Sequence, residues 1–141
     1  MRLVGVNMAD SRHPIQKLLD DRAEAARVAE EELVRAQARL DAAWIAVSTM
    51  MVEAVARANA VLEKNETLVS FKYVAPGEGG PRLEICDDVD LEPPTFGLSL
   101  DLDAIPEPRV LADGNIGTFA APFSDLDALL TEIYGEFSKP F

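Results

Sequence analysis

The stretch DAAWIAVSTMMVEAVA, residues 41–56, lies in the middle of a long segment with helical periodicity. Between its polar ends nearly every side chain is apolar, on all sides of a helix. Its most apolar part, residues 42–52, still contains Ser48 and Thr49 and is shorter than the ~18 apolar residues that a membrane-spanning helix needs. The sequence therefore predicts a helix that buries more than one face against protein.

The segment around this stretch contains no residue that reliably interrupts a helix. From 15 to 75 there is neither Gly nor Pro. Pro14 suits the first helical turn, where its missing N–H is no loss, and Lys64 and Asn65 are typical of a helix end. We therefore predict one helix over residues 14–64. At 1.5 Å per residue it would be roughly 75 Å long, so we expect it to project from the domain and to need a partner.

The apolar stripe of this helix has an informative spacing. Steps of four and three residues give a mean close to 3.67, which is typical of a nearly straight helix rather than a left-handed coiled coil. The many alanines allow a neighbouring helix to approach closely. The sequence thus predicts either a straight antiparallel helix pair or a helix laid on other elements. The track comprises Leu18, Arg22, Ala25, Ala29, Leu33, Ala36, Leu40, Trp44, Val47, Met51, Val55, Ala58 and Leu62.

Part of this track is the predicted interaction site. Ile45, Met50 and Val52 widen the stripe beyond a single contact face, and methionines adapt readily to varied partners. The stripe could serve equally as such an adaptable binding surface or as an ordinary buried packing surface. The predicted interface residues are Leu33, Leu40, Trp44, Val47, Met51 and Val55.

The remainder of the chain has strand and helix signals. After Glu66 the apolar period changes to two, which predicts four to five short antiparallel strands over residues 67–121. The pair Asp113-Gly114 predicts a hairpin turn, and the segment FGLSLDLD a strand over 96–103. An amphipathic helix is predicted over 124–137, with Ser124 in a capping position. We predict an α+β fold in a single domain, residues 1–141, with a long N-terminal helix, an antiparallel sheet and a C-terminal helix.

The residues with reactive or metal-binding side chains do not form a recognisable site. His13 has no carboxylate or cysteine fixed beside it, so we interpret it as a surface histidine. Cys86 is the only cysteine, and the neighbouring acidic residues should raise its pKa. The segment 76–80 is rich in glycine but leads into a strand, which indicates a hairpin loop rather than a phosphate-binding loop. We therefore predict no catalytic residue and no cofactor.

An acidic run follows the cysteine. It resembles the start of a calcium-binding loop but lacks the required glycine and the final bidentate acid, so we interpret it as a solvated loop and predict no metal site. The run consists of Asp87, Asp88, Asp90 and Glu92. An enzyme built on this chain would have to use carboxylates such as Asp87, Asp88, Asp101 and Asp103.

Charge separates the two halves of the chain. Residues 1–64 hold 10 acidic and 9 basic side chains, and residues 65–141 hold 15 acidic and 4 basic ones. Such a balance disfavours binding to nucleic acid or to an anionic membrane surface. The N-terminus lacks the apolar core of a signal peptide, so we expect a soluble cytoplasmic protein.

Three functions remain open at this stage. The first is a non-catalytic protein–protein interaction module, an obligate homodimer or assembly subunit that packs through its long helix. The second is a small acidic chaperone or inhibitor for a basic client protein, including a mimic of nucleic-acid charge. The third is a carboxylate- or metal-dependent enzyme.

Overall fold

The computed structural model describes residues 12–87 and 92–139, and the predicted α+β architecture is confirmed. A long helix is followed by a five-stranded antiparallel sheet and a C-terminal helix. In chain order the elements are α1 Pro14–Lys64, β1 Ser70–Val74, β2 Arg82–Cys86, β3 Thr95–Asp101, β4 Arg109–Gly114, β5 Gly117–Pro122 and α2 Leu126–Phe137. Asp88 and Asp90 of the acidic run lie outside the described residues.

The chain divides into two compact units, Met1–Arg39 and Leu40–Phe141. In the N-terminal unit the described residues of α1 are helical throughout, and none of them is buried. Local contacts hold this helix, and one cluster is typical: the guanidinium of Arg27 contacts the carboxylates of Glu24 and Glu31. Exposed pairs of this kind contribute only about 0.3–0.5 kcal/mol each.

The C-terminal unit is built on a sheet whose strands follow one another in the order β1-β2-β3-β4-β5. Alternate residues of each strand face one side, and α2 and the later part of α1 pack on that side. The core contains Val47, Met51, Ala54, Leu62, Phe71, Leu83, Ile85, Phe96, Leu98, Val110, Ala112, Ala121, Leu126, Leu129, Leu130 and Ile133. The period-two pattern predicted this buried side because successive strand side chains point to opposite faces.

The structure corrects the predicted helix caps. The residue with the left-handed conformation after α1 is Glu66, with φ 59°, one position after the Asn65 that was expected to end the helix. The Asn65 side chain instead donates to the carbonyl of Val61 at 2.8 Å. The N-cap of α2 is Asp125, whose Oδ1 accepts a hydrogen bond from the amide of Ala128 at 3.1 Å.

The structure also corrects the ends of two strands. Asp113 and Gly114 are the last residues of β4 and pair with Thr118 and Gly117, so the hairpin loop is 115–116. The hairpin itself is confirmed, but the turn lies two residues later than predicted. β3 ends at Asp101, before the predicted limit of 103.

Candidate functional site

The structure places the six predicted interface residues in three different environments. Val47 and Met51 are completely buried in the core of the C-terminal unit. Trp44 and Val55 are half-buried and pack against the same core. Leu40 is half-buried, whereas Leu33 in the N-terminal unit is 70% exposed. Four of the six thus meet at one core, and Val47 and Met51 are not accessible to a partner.

Polar contacts fix α1 against the edge strand of the sheet. The Asn59 side chain accepts from the amide of Phe71 at 2.8 Å and donates to its carbonyl at 3.0 Å. Asn59 therefore satisfies the outward backbone groups of Phe71 at the β1 edge, as a neighbouring strand would. Sequence reasoning missed this residue, because an asparagine within an apolar helical segment has no distinctive local signal.

A second polar contact lies nearer the middle of α1. The hydroxyl oxygens of Ser48 and Tyr73 are 2.7 Å apart. Burial raises the pKa of Tyr73, and the hydrogen bond to Ser48 partly offsets this rise. The tyrosine therefore stays protonated at neutral pH, and the contact attaches α1 to β1 without burying a charge.

The opposite side of α1 in the C-terminal unit is uncovered. Ile45 is 72% exposed and Val52 is 58% exposed, while Thr49 and Ala56 beside them are also exposed. The sheet thus covers one side of the 41–56 segment and leaves another apolar side in solvent.

The N-terminal unit exposes further apolar side chains along α1. Its large exposed hydrophobic residues are Ile15, Leu18, Leu19, Val28, Leu33 and Val34. Leu18 and Leu33 belong to the predicted track, and the alanines between them are exposed as well. This surface consists of side chains of one helix alone.

An apolar groove lies between α1, β1 and α2 within the C-terminal unit. Its volume is about 350 Å³, and Phe71, Leu130 and Tyr134 form much of its wall. The guanidinium of Arg57 lies 3.2 Å from the carboxylate of Asp127 beside it. The groove has the size of a small ligand site, but none of the groups around it forms an acid–base or nucleophilic pair.

The candidate reactive groups are dispersed. His13 caps the start of α1, where its Nδ1 accepts from the amide of Ile15 at 3.0 Å. Asp101 Oδ1 accepts from the amide of Asp103 at 3.1 Å, which closes a turn after β3. Within residues 12–87 and 92–139, no group of three or more His, Cys, Asp or Glu side chains could hold a metal ion.

Cys86 lies on the outer face of the sheet, beside Glu84 on the same strand. Burial raises the pKa of the Cys86 thiol, and the carboxylates of Glu84 and Asp87 raise it further, whereas Lys72 on β1 lowers it. The expected effect of the acidic neighbours on the pKa is thus confirmed for Asp87. Because the thiolate is the reactive form, Cys86 should react slowly at neutral pH.

This pKa can be tested by alkylation of the native protein. Glu84→Gln should lower the thiol pKa and shift the rate–pH profile for iodoacetamide to lower pH. Lys72→Gln, which removes the facing positive charge in the paired strand, should shift the profile to higher pH. Shifts of the two variants in the same direction would contradict this electrostatic account.

One helix in the described part of the chain, α1, is long and apolar enough by length and composition to cross a membrane. Its most apolar 18-residue window has a mean hydropathy of 1.4, and 22% of that window is buried within the chain. Mostly buried core helices of soluble proteins meet the same criterion, and the buried residues of α1 are Val47, Met51, Ala54 and Leu62.

Comparison with protein family models, curated proteins and solved structures finds no match to this chain.

Proposed function

We propose that this protein is a non-catalytic protein–protein interaction module that self-associates through α1. The observation that supports it most directly is the N-terminal unit, in which no described residue is buried although six large hydrophobic side chains are exposed. Exposed apolar area costs roughly 25 cal/mol per Å², and contiguous apolar surface usually marks an interaction site.

The stability of the helix supports the same proposal. A helix without tertiary contacts is marginal in water because most helical stability comes from packing of its apolar face. Ion pairs such as those of Arg27 with Glu24 and Glu31 join exposed side chains of the same helix and supply no tertiary packing. A second protein surface on Leu18 and Leu33 would supply the missing packing.

Sedimentation velocity at micromolar concentration tests the proposal. We expect the protein to sediment as a dimer or larger oligomer, and Leu33→Asp to shift it toward the monomer because the charge would be buried unpaired. Ile105→Asp is the matched control: Ile105 is 91% exposed in a loop of the C-terminal unit, so its substitution should leave the oligomer intact. A well-folded monomer at these concentrations would refute the proposal.

The acidic second half of the chain motivates the alternative proposal of a chaperone or inhibitor for a basic client. The outer face of the sheet has a balanced composition, since its charged residues are Lys72, Arg82, Glu84, Asp101, Arg109 and Asp113. The excess negative charge of the described residues therefore lies outside the strands, on turns, on loops and on α2. Binding of a basic client that weakens steeply with added salt would favour this alternative over the first.

A further inference from the structure

Five positions on one side of α1 in the N-terminal unit have a symmetric spacing. Arg22, Ala25, Ala29, Leu33 and Ala36 follow one another in steps of three, four, four and three, so the spacing, although not the residue type, is the same in both directions from Ala29. All five are exposed, and they are called the pairing face below. We infer that two copies of this chain pair in antiparallel orientation through the pairing face, with Ala29 at the two-fold axis. The inference rests on the proposed self-association and specifies its orientation and register.

Two-fold symmetry brings each position of one copy opposite the position equally far from Ala29 in the other. Ala29 then lies opposite Ala29 of the partner copy, and Ala25 lies opposite the partner copy's Leu33. Arg22 lies opposite the partner copy's Ala36, which leaves room for the aliphatic stem of the arginine. Each layer beside the axis pairs a large side chain with a small one. The layers on the two sides of the axis therefore have similar widths, and the small Ala29 pair lies between them.

A parallel pair in register would pack less well. It would place Arg22 of one copy beside Arg22 of the other, so that two like charges would meet between the helices. It would also alternate wide layers at Leu33 with narrow ones at Ala29. The antiparallel register separates the two copies of Arg22 by 14 residues, roughly 21 Å along the helices.

Charges along the edges of the pairing face favour the same register. Asp21 falls between the partner copy's Arg35 and Arg39, because it lies opposite position 37. Arg39 is 18 residues from Asp21, which is five full turns, so both lie on the same edge of the helix. The guanidinium of Arg35 is 3.6 Å from Glu31, and both side chains are largely exposed, so it can reorient toward a partner. Glu30 faces Glu30 of the partner copy near the axis, which is one like-charge contact, whereas Asp21 gains two opposite charges in each copy.

Cysteine cross-linking of the full chain tests the register. In a Cys86→Ser background, Ala29→Cys should form a disulfide dimer with itself on mild oxidation. Helix axes ~8–10 Å apart, with Cα atoms ~2.3 Å from each axis, bring facing Cα atoms to ~3.4–5.4 Å, which overlaps the ~4.4–6.8 Å range of a disulfide. Ala25→Cys alone and Leu33→Cys alone should cross-link slowly, because each is offset from its copy by eight residues, ~12 Å. A mixture of these two variants should cross-link as a heterodimer on the order of tenfold faster than either alone. Ala38→Cys, on the opposite side of the helix, gives the background rate of cross-linking by random collision.

Each outcome decides between the alternatives. Rapid cross-linking of Ala29→Cys and of the Ala25→Cys and Leu33→Cys mixture supports the inference. Equal cross-linking of Ala25→Cys, Ala29→Cys and Leu33→Cys, at a rate well above that of Ala38→Cys, indicates a parallel pair and overturns the inference. Slow cross-linking of Ala29→Cys in a protein that sediments as a dimer overturns the register and leaves the proposed function intact. Slow cross-linking in a protein that sediments as a monomer overturns both.

Discussion

Met51→Ala is expected to lower the free energy of unfolding of the C-terminal unit by about 2–5 kcal/mol, as measured by urea denaturation. The side chain of Met51 is completely buried among the core residues contributed by the sheet and by α2. Its truncation loses the transfer free energy of the removed atoms and leaves a cavity that the packed neighbours fill only in part.

Leu33→Ala is the matched control, since both residues occupy the same predicted track of α1. Leu33 is 70% exposed, and alanine has a high helix propensity, so the unfolding free energy should change by no more than about 0.5 kcal/mol at a concentration where the protein is monomeric. Comparable losses for the two variants would mean that Leu33 is buried within its own chain. No loss for Met51→Ala would contradict the packing of α1 on the sheet.

Leu33 and Met51 also show how much of the structure can be predicted from the sequence. Local periodicity predicted α1 over 14–64 and the antiparallel strands within 67–121, because each pattern depends on side chains a few residues apart. Leu33 and Met51 have the same periodic environment in the sequence, yet one is exposed and the other is buried. Which part of the track the sheet covers depends on contacts distant in sequence, so the list of predicted interface residues included Val47 and Met51, which belong to the core.

The residues that sequence reasoning missed share a physical cause. Asn59 binds both backbone groups of Phe71, and His13 accepts from the amide of Ile15. Each role consists of a hydrogen bond between a side chain and the backbone. Side chains of many types can make such bonds, so residue identity alone does not indicate them.

The β4–β5 hairpin shows a third kind of difference between the prediction and the structure. Asp113-Gly114 is a strong turn signal, but the structure uses Gly114 for close packing rather than for a turn. A Cβ atom at this position would lie 2.7 Å from both Cδ2 of Phe96 and the carbonyl oxygen of Thr95. Gly114 pairs directly with Phe96 across β3 and β4, and the Phe96 ring packs edge-on against Phe119, with centroids 5.8 Å apart. The absence of a side chain at Gly114 therefore gives the Phe96 ring its place in the core.

Gly114→Ala should consequently destabilise the C-terminal unit by about 1–3 kcal/mol, because one of the two atoms in the way belongs to the backbone and the other to a buried aromatic ring. Gly97→Ala is the control on the neighbouring strand. A Cβ there would meet nothing closer than the carbonyl oxygen of Asp113 at 3.9 Å, and its position is exposed. That variant should be neutral or stabilising by up to about 1 kcal/mol, since alanine loses less backbone entropy than glycine on folding. Thermal unfolding followed by circular dichroism compares the two. If the two variants had equal unfolding midpoints, glycine at position 114 would affect stability only through its backbone entropy. The close approach to Phe96 would then not restrict which residue position 114 can hold.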